Sequence, residues 1–227
     1  MSATPSDALA LLRCLQLASP GLPIGAYAYS QGLEWAVEAG WVHDESSLRG
    51  WIHEQMATAL APLDIAVYAR LYRAIAAADA ASVAYWNAVL LAHRETSELR
   101  ADDRDRGAAL LRLLREFGIA PLATLAGADV ALAAVHAQIA VHWALPLDMA
   151  THAYVWAWLE GQVIAGVKLI PLGQAAGQRL LCALAAEAPE TVAAGLALAD
   201  DDIGGALPAL AIASCRHEIQ YTRLFRS

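Results

Sequence analysis

Charge is scarce in this sequence, and positive charge is scarcer still. Only 17% of the 227 residues are charged against 58% hydrophobic, and 15 Lys and Arg face 23 Asp and Glu for a formal net charge of -8. A chain this apolar is not intrinsically disordered. Its acidic balance repels phosphate backbones and anionic headgroups, so neither nucleic acid nor a charged membrane surface is an expected partner. The lone lysine is Lys168. The three cysteines, Cys14, Cys182 and Cys215, form no C-x-x-C pair. An odd number cannot pair completely within one chain, and all three read as reduced core residues of a cytoplasmic protein.

Long uninterrupted apolar runs are also few. The mean hydropathy of +0.41 raises the question of membrane spans. The longest uncharged run, Val130 to Leu147, reaches only the lower limit of about 18 residues and contains His136, Gln138, His142 and Pro146. Met149 to Pro171 is interrupted by His152, Glu160, Gln162 and Lys168, which a lipid-facing helix would have to place in hydrocarbon. Both read as buried helices. The run Ala8 to Ala18 has no positive segment before it and carries Arg13, unlike a signal peptide.

Catalytic motifs are missing too. There is no G-x-x-x-x-G-K-[ST] and no G-x-S-x-G. His53-Glu54 and His217-Glu218 each begin like a zinc-protease helix, but Ala57 and Tyr221 stand where the second histidine must lie, so both read as surface pairs. Asp148 and His152, one turn apart, have a spacing that could chelate a metal, but Asp148 reads as a first-turn acid after Pro146 and His152 as a packing or interface residue. No cofactor or metal is expected. Asp102, Asp103 and Asp105 would suit a helical magnesium-diphosphate enzyme if ligands shared a helix face, but position 106 is Arg; the cluster reads as a solvated helix start.

What the chain does contain is helical periodicity nearly throughout, with alanine supplying about a quarter of the residues. The expected fold is all-α, a single-domain bundle of about ten helices around a central apolar pair. Ser6 caps a first helix with Leu11, Leu12, Leu15 and Ala18 as its apolar stripe, and Pro20, Gly21 and Pro23 end it. Helices follow at about Tyr27–Ala39, from Asp44 to before Pro62, and from Pro62 through Ile75. Next come one through Tyr85 and Leu90, a charged connection His93–Arg106, and a helix through Leu110 and Phe117. The central pair is placed at about Asp129–Trp143 and Pro146–Lys168. Helices near Gln174–Glu187, Pro189–Ala199 and Leu207–Gln220 complete the set. Of Tyr154, Trp156 and Trp158, spaced by two, one ring must face outward.

Three clusters of polar residues in apolar or glycine-rich surroundings remain. The first, QLASPGLPIGAYAYSQGLE, delivers Tyr27, Tyr29, Ser30, Gln31 and Glu34 onto a helix start. The second, VKLIPLGQAAGQRLL, holds Lys168, Gln174 and Arg179. The third is the tail RHEIQYTRLFRS with Arg216, Tyr221, Arg223, Phe225 and Arg226, where arginines flank an apolar pair, a sound anchor for a protein partner.

These clusters, together with HRETSELR at His93 to Arg100 and HWALPLDMATHAYVWAWLEGQ before the second, resemble the UreF family of urease accessory proteins over essentially the whole chain. The resemblance implies a non-enzymatic, cytoplasmic, all-helical homodimer that serves nickel insertion into urease. It implies partnership with UreD (also called UreH), with the GTPase UreG, and through them with the urease apoprotein, and a modulating effect on that GTPase. By the same resemblance Tyr27 and Arg223 fall on positions that recruit UreG, and residues 217–227 form a partner-binding tail expected beside the N-terminal loop. His152 and Trp156 are the expected dimer surface. Ala26 and Ala28 depart from relatives that often carry Phe or Thr there, which thins that surface.

Overall fold

The computed structural model describes residues 6–127 and 129–227; residues 1–5 and Ala128 lie outside the description. Helix α1 (Asp7–Ala18) is capped by Ser6, whose hydroxyl accepts from the Leu9 amide. A short 3₁₀ turn (Ala26–Ala28) leads to α2 (Leu33–Glu38). Helix α3 (Glu45–Gln55) opens on a capping box between Asp44 and Ser47 and runs without a break into a π-helical segment (Met56–Ile65) and α4 (Ala66–Ala76). Then follow α5 (Ala80–Ala92), α6 (Ser97–Glu116), α7 (Leu132–His142), α8 (Leu147–Leu169), α9 (Gln174–Ala185), α10 (Ala188–Ala197) and α11 (Pro208–His217). Among the described residues there is no strand.

Helix α7 is buried on every side from Leu132 to Ala140, sheathed by α4, α6 and α8. Helix α8 passes between two apolar clusters. Its first half gives Ala150, Ala153 and Tyr154 to the cluster around α4 and α7, and its second half gives Val155, Leu159 and Val163 to the cluster around α2, α3 and α9. Of the three α8 aromatics, Tyr154 is buried, Trp158 half-buried, and Trp156 faces outward.

Several expectations are corrected. Pro62 does not begin a helix: it sits inside the π-helical segment, where the wider turn accommodates a residue without an N–H, and its carbonyl accepts from the Gly204 amide at 3.1 Å. The connection expected over His93–Arg106 is shorter, because Thr96 caps α6 from its side chain. Of the stripe expected on α1, only Ala18 turns inward. Ala10, Cys14, Leu17 and Ala18 face α8, whereas Leu11, Leu12 and Leu15 are exposed, Leu12 to 62%. Small residues let α1 approach α8 closely, and the leucines are left on the outside. Of the cysteines read as core residues, only Cys14 is buried.

The stretch Gln174–Ala197 is long and apolar enough to cross a membrane by length and composition. Here it is two helices broken at Ala186 and Glu187, packed on α8 and the π-helical segment. At the break Glu187 receives Arg49 at 2.8 Å and lies 2.7 Å from His53 Nδ1.

Helix α6 carries much of the chemistry described below, and Gly107 sets how closely it meets the start of α7. A methyl group there would collide with the Val130 carbonyl and reach 3.0 Å from the Ala131 carbonyl carbon, neither of which is a flexible side chain. Gly107→Ala should therefore lose about 1–3 kcal/mol of stability despite alanine's better helix propensity, measured by urea unfolding.

Candidate functional site

The loop after α1 is shaped by backbone conformation. Gly25 takes φ 73°, and Gln31 and Gly32 follow at φ 54° and 78°. Two successive left-handed residues stop a helix from running through from Tyr27, which corrects the expected Tyr27–Ala39 helix to the short α2. Gly32 also lies against α11, where a β-carbon would stand 3.0 Å from the Ser214 amide nitrogen. The strained Gln31 backbone costs about 1–2 kcal/mol. Its side chain compensates: Nε2 donates to Asp102 Oδ2 at 2.9 Å, and Oε1 accepts from Trp158 Nε1 at 2.9 Å and Gln162 Nε2 at 3.2 Å.

Helix α6 presents Glu98, Asp102 and Asp105 at i, i+4 and i+7, hence on one face. The expected solvated cluster holds only in part: Asp105 is exposed, but Asp102 is 1% and Asp103 2% exposed. Each carboxylate has a partner. Asp102 is bound by both Gln31 and Arg106, Asp103 by Arg94 at 2.8 Å and the Leu132 amide at 2.7 Å, and Asp105 accepts the Tyr29 hydroxyl at 3.0 Å. Burial opposes the charge on Arg94, but Asp64 and Asp103 outweigh it and hold the guanidinium well above its ordinary range; for Arg106, Asp102 outweighs burial and raises it. Carboxylates this committed to arginines are poorly disposed to hold magnesium diphosphate. Among the described residues no group of three or more His, Cys, Asp or Glu is arranged to hold a metal ion.

Against this frame lies the tail. After α11, the chain returns along the N-terminal loop: the Arg226 amide donates to the Ala28 carbonyl at 2.8 Å, and the Ser30 amide to the Ser227 carbonyl at 2.6 Å. Glu34, buried at the start of α2, accepts the Leu224 amide at 2.6 Å and the Phe225 amide at 2.9 Å. The Phe225 ring is buried and lies 5.6 Å from Lys168 Nζ, a cation over an aromatic face. Arg223 donates to Glu98 at 2.6 Å while its side chain stays 40% exposed. Tyr29 is pushed up, first by burial, then by Asp105, with Arg226 acting against both. The outward surface of the assembled face consists of Tyr27, Arg223, Leu224 and Arg226.

The site residues named from sequence divide accordingly. Tyr27, Tyr29, Ser30, Gln31, Glu34, Lys168, Arg223, Phe225 and Arg226 come together. Gln174 and Arg179 do not; both are exposed on α9, and Arg179 reaches toward Glu45 of α3 at 3.6 Å. Arg216 borders a separate groove with Trp35, Trp41 and Ile219, and Tyr221 is fully exposed. His152 and Trp156 lie one turn apart on α8, the histidine bonded to the Asp148 carbonyl at 2.8 Å.

Sequence reasoning missed two residues. His217, read as half of a surface pair, is fully buried, with Nε2 3.0 Å from Glu34 and Nδ1 2.6 Å from Glu98. Its neighbour Glu218 instead caps α6, accepting the Ser97 hydroxyl at 2.7 Å and amide at 3.0 Å, which lowers its pKa. Glu98 was the other omission. The signal that could have found it is its helical spacing with Asp102 and Asp105.

The UreF family model matches residues 42–185. The chain is also 56% identical to the urease accessory protein UreF of Pseudomonas putida, over 96% of this chain and 98% of the relative. It is 49% identical to UreF of Alkalilimnicola ehrlichii over the full length of both, and 43% identical to UreF of Methylobacillus flagellatus over 98% of this chain and all of the relative. The chain belongs to the UreF family of urease accessory proteins. The family-model match stops short of both the N-terminal loop and the tail, whereas the full-length relatives span them.

A cavity of about 100 Å³ lies beneath the loop, lined by Gln31, Arg94, Asp102, Arg106 and His136 among others. His136 is buried against Tyr68 and Tyr154, with Nδ1 2.9 Å from the Tyr68 hydroxyl. Burial lowers its pKa to about 3, so the folded ring is neutral where an unfolded one takes up a proton. The unfolded chain therefore binds more protons below its ordinary histidine pKa, and stability falls as pH drops from about 6.5 toward 3. His136→Asn should flatten that slope by about one proton, read from urea midpoints across the range. Separately, Glu34→Ala leaves the Leu224 and Phe225 amides without acceptors; their hydrogen exchange should accelerate by at least about tenfold while α7 amides keep their protection.

Proposed function

We propose that this chain is a non-catalytic adaptor in urease maturation, a cytoplasmic homodimer that joins UreD (UreH) to the GTPase UreG. In this reading the complex acts on the urease apoprotein, and GTP hydrolysis by UreG accompanies delivery of nickel as cargo. The observation that carries the reading is the assembled face: one aromatic ring with a polar tip, Tyr27, and two exposed guanidinium groups, Arg223 and Arg226, held on a frame of buried carboxylates. Aromatic and arginine side chains dominate interface hot spots, and a guanidinium fork suits a carboxylate or backbone carbonyl on the partner. The apolar surface left outside, Leu11, Leu12 and Leu15 on α1 and Trp156 on α8, suits contacts with a second copy and with UreD. A chain with no nucleotide loop would leave hydrolysis to UreG, and its own contribution would be placement.

Arg223→Ala should weaken capture of UreG by about thirtyfold or more, a hot-spot loss, while thermal stability changes little because the ion pair is partly exposed. The check is an equilibrium titration of UreG onto the purified chain with UreD present. Wild-type affinity in the variant would remove the tail from the interface.

A further inference from the structure

His217 ends α11 with no exposed surface, so it cannot itself touch a partner. Its two ring nitrogens face two different carboxylates, Glu34 at 3.0 Å and Glu98 at 2.6 Å. A neutral imidazole has one N–H and one lone pair, and the lone pair would confront a carboxylate lone pair. With both carboxylates ionised, only a ring with N–H on both nitrogens satisfies both contacts, and its position at a helix C-terminus favours that cation. Both carboxylates also hold the tail: Glu34 Oε1 takes the Leu224 amide at 2.6 Å, Glu34 Oε2 takes the Phe225 amide at 2.9 Å beside His217, and Glu98 Oε1 takes Arg223 at 2.6 Å.

We infer that His217 is a positioning residue for the partner contact: as a doubly protonated bridge between Glu34 and Glu98, it aims Glu98 and thereby Arg223 toward an acidic or carbonyl group on the captured protein. This rests on the proposed role of Arg223 and adds the residue that sets its place. Without the bridge, two carboxylates from α2 and α6 lie close together with no cation between them, and the one carrying Arg223 is free to turn. The ring therefore couples three helices to one exposed guanidinium. Its effect on binding passes through Arg223 and through no contact of its own.

A double-mutant cycle tests this, using the full chain with UreD and the affinity for UreG as readout. His217→Gln, which cannot donate along two opposed directions, should weaken capture at least about tenfold in the wild-type background. In the Arg223→Ala background it should change capture by less than about twofold, because the group it positions is gone. A histidine that served only general stability would lower capture by the same factor in both backgrounds. Equal factors, or wild-type capture by His217→Gln, overturn the inference. Wild-type capture by Arg223→Ala alone overturns the proposed function as well, and that outcome is visible without any His217 variant. If His217→Gln does not fold, ¹⁵N spectra of the wild-type histidines decide: the inference requires one slowly exchanging ring with directly bonded hydrogen on both nitrogens at neutral pH, and its absence overturns the bridge.

Discussion

The buried carboxylate of Glu34 is the interaction on which this face of the molecule depends. It accepts two consecutive amides of the tail and one nitrogen of His217, so α2, α11 and residues 224–225 meet at one side chain. Ordering the last five residues costs about 5–10 kcal/mol of backbone entropy. Two hydrogen bonds from the tail to the charged Glu34 return about 3–6 kcal/mol, and burial of the Phe225 ring adds about 2. The balance is narrow, so the tail is held by Glu34 rather than by the loop alone.

The same economy runs through the rest of the structure. In a chain with so little charge, many of the charged groups are committed inward: Arg94 to Asp64 and Asp103, Arg106 to Asp102, Glu98 to His217 and Arg223. Removing one member of such a pair leaves an uncompensated buried charge, which is costly, so these pairs define one arrangement of α6 against its neighbours. Arg223 and Arg226, both exposed, stand at the end of that arrangement. A body with net charge -8 thus sets two exposed guanidinium groups together on one framed face.

The helical architecture was legible because 3.6-residue periodicity and helix-start residues such as Ser6 and Asp44 act locally. The inward positions Leu48, Ile52, Leu63, Val67 and Leu71 could be read directly and are buried. The stripe of α1 could not, because the side a helix buries depends on what it packs against, and α8 accepts small residues there. The loop and tail were legible as odd polar residues in glycine- and proline-rich surroundings. His217 and Glu98 were not: their partners lie more than 100 positions away in sequence, and a histidine followed by glutamate looks the same on a surface as between two helices. Asp102 and Asp103 were visible but misread, since charge density in a helix favours a solvent reading until the arginines opposite are known.

If the loop and tail are the point of capture, oxidative footprinting of aromatic side chains with UreG bound in the presence of UreD tests it most directly. Tyr27 is 72% exposed on the assembled face, and Tyr85, 60% exposed on α5, serves as the internal reference. Capture at the loop and tail should slow oxidation of Tyr27 severalfold and leave Tyr85 unchanged. Unaltered oxidation of Tyr27 in a saturated complex would contradict the account.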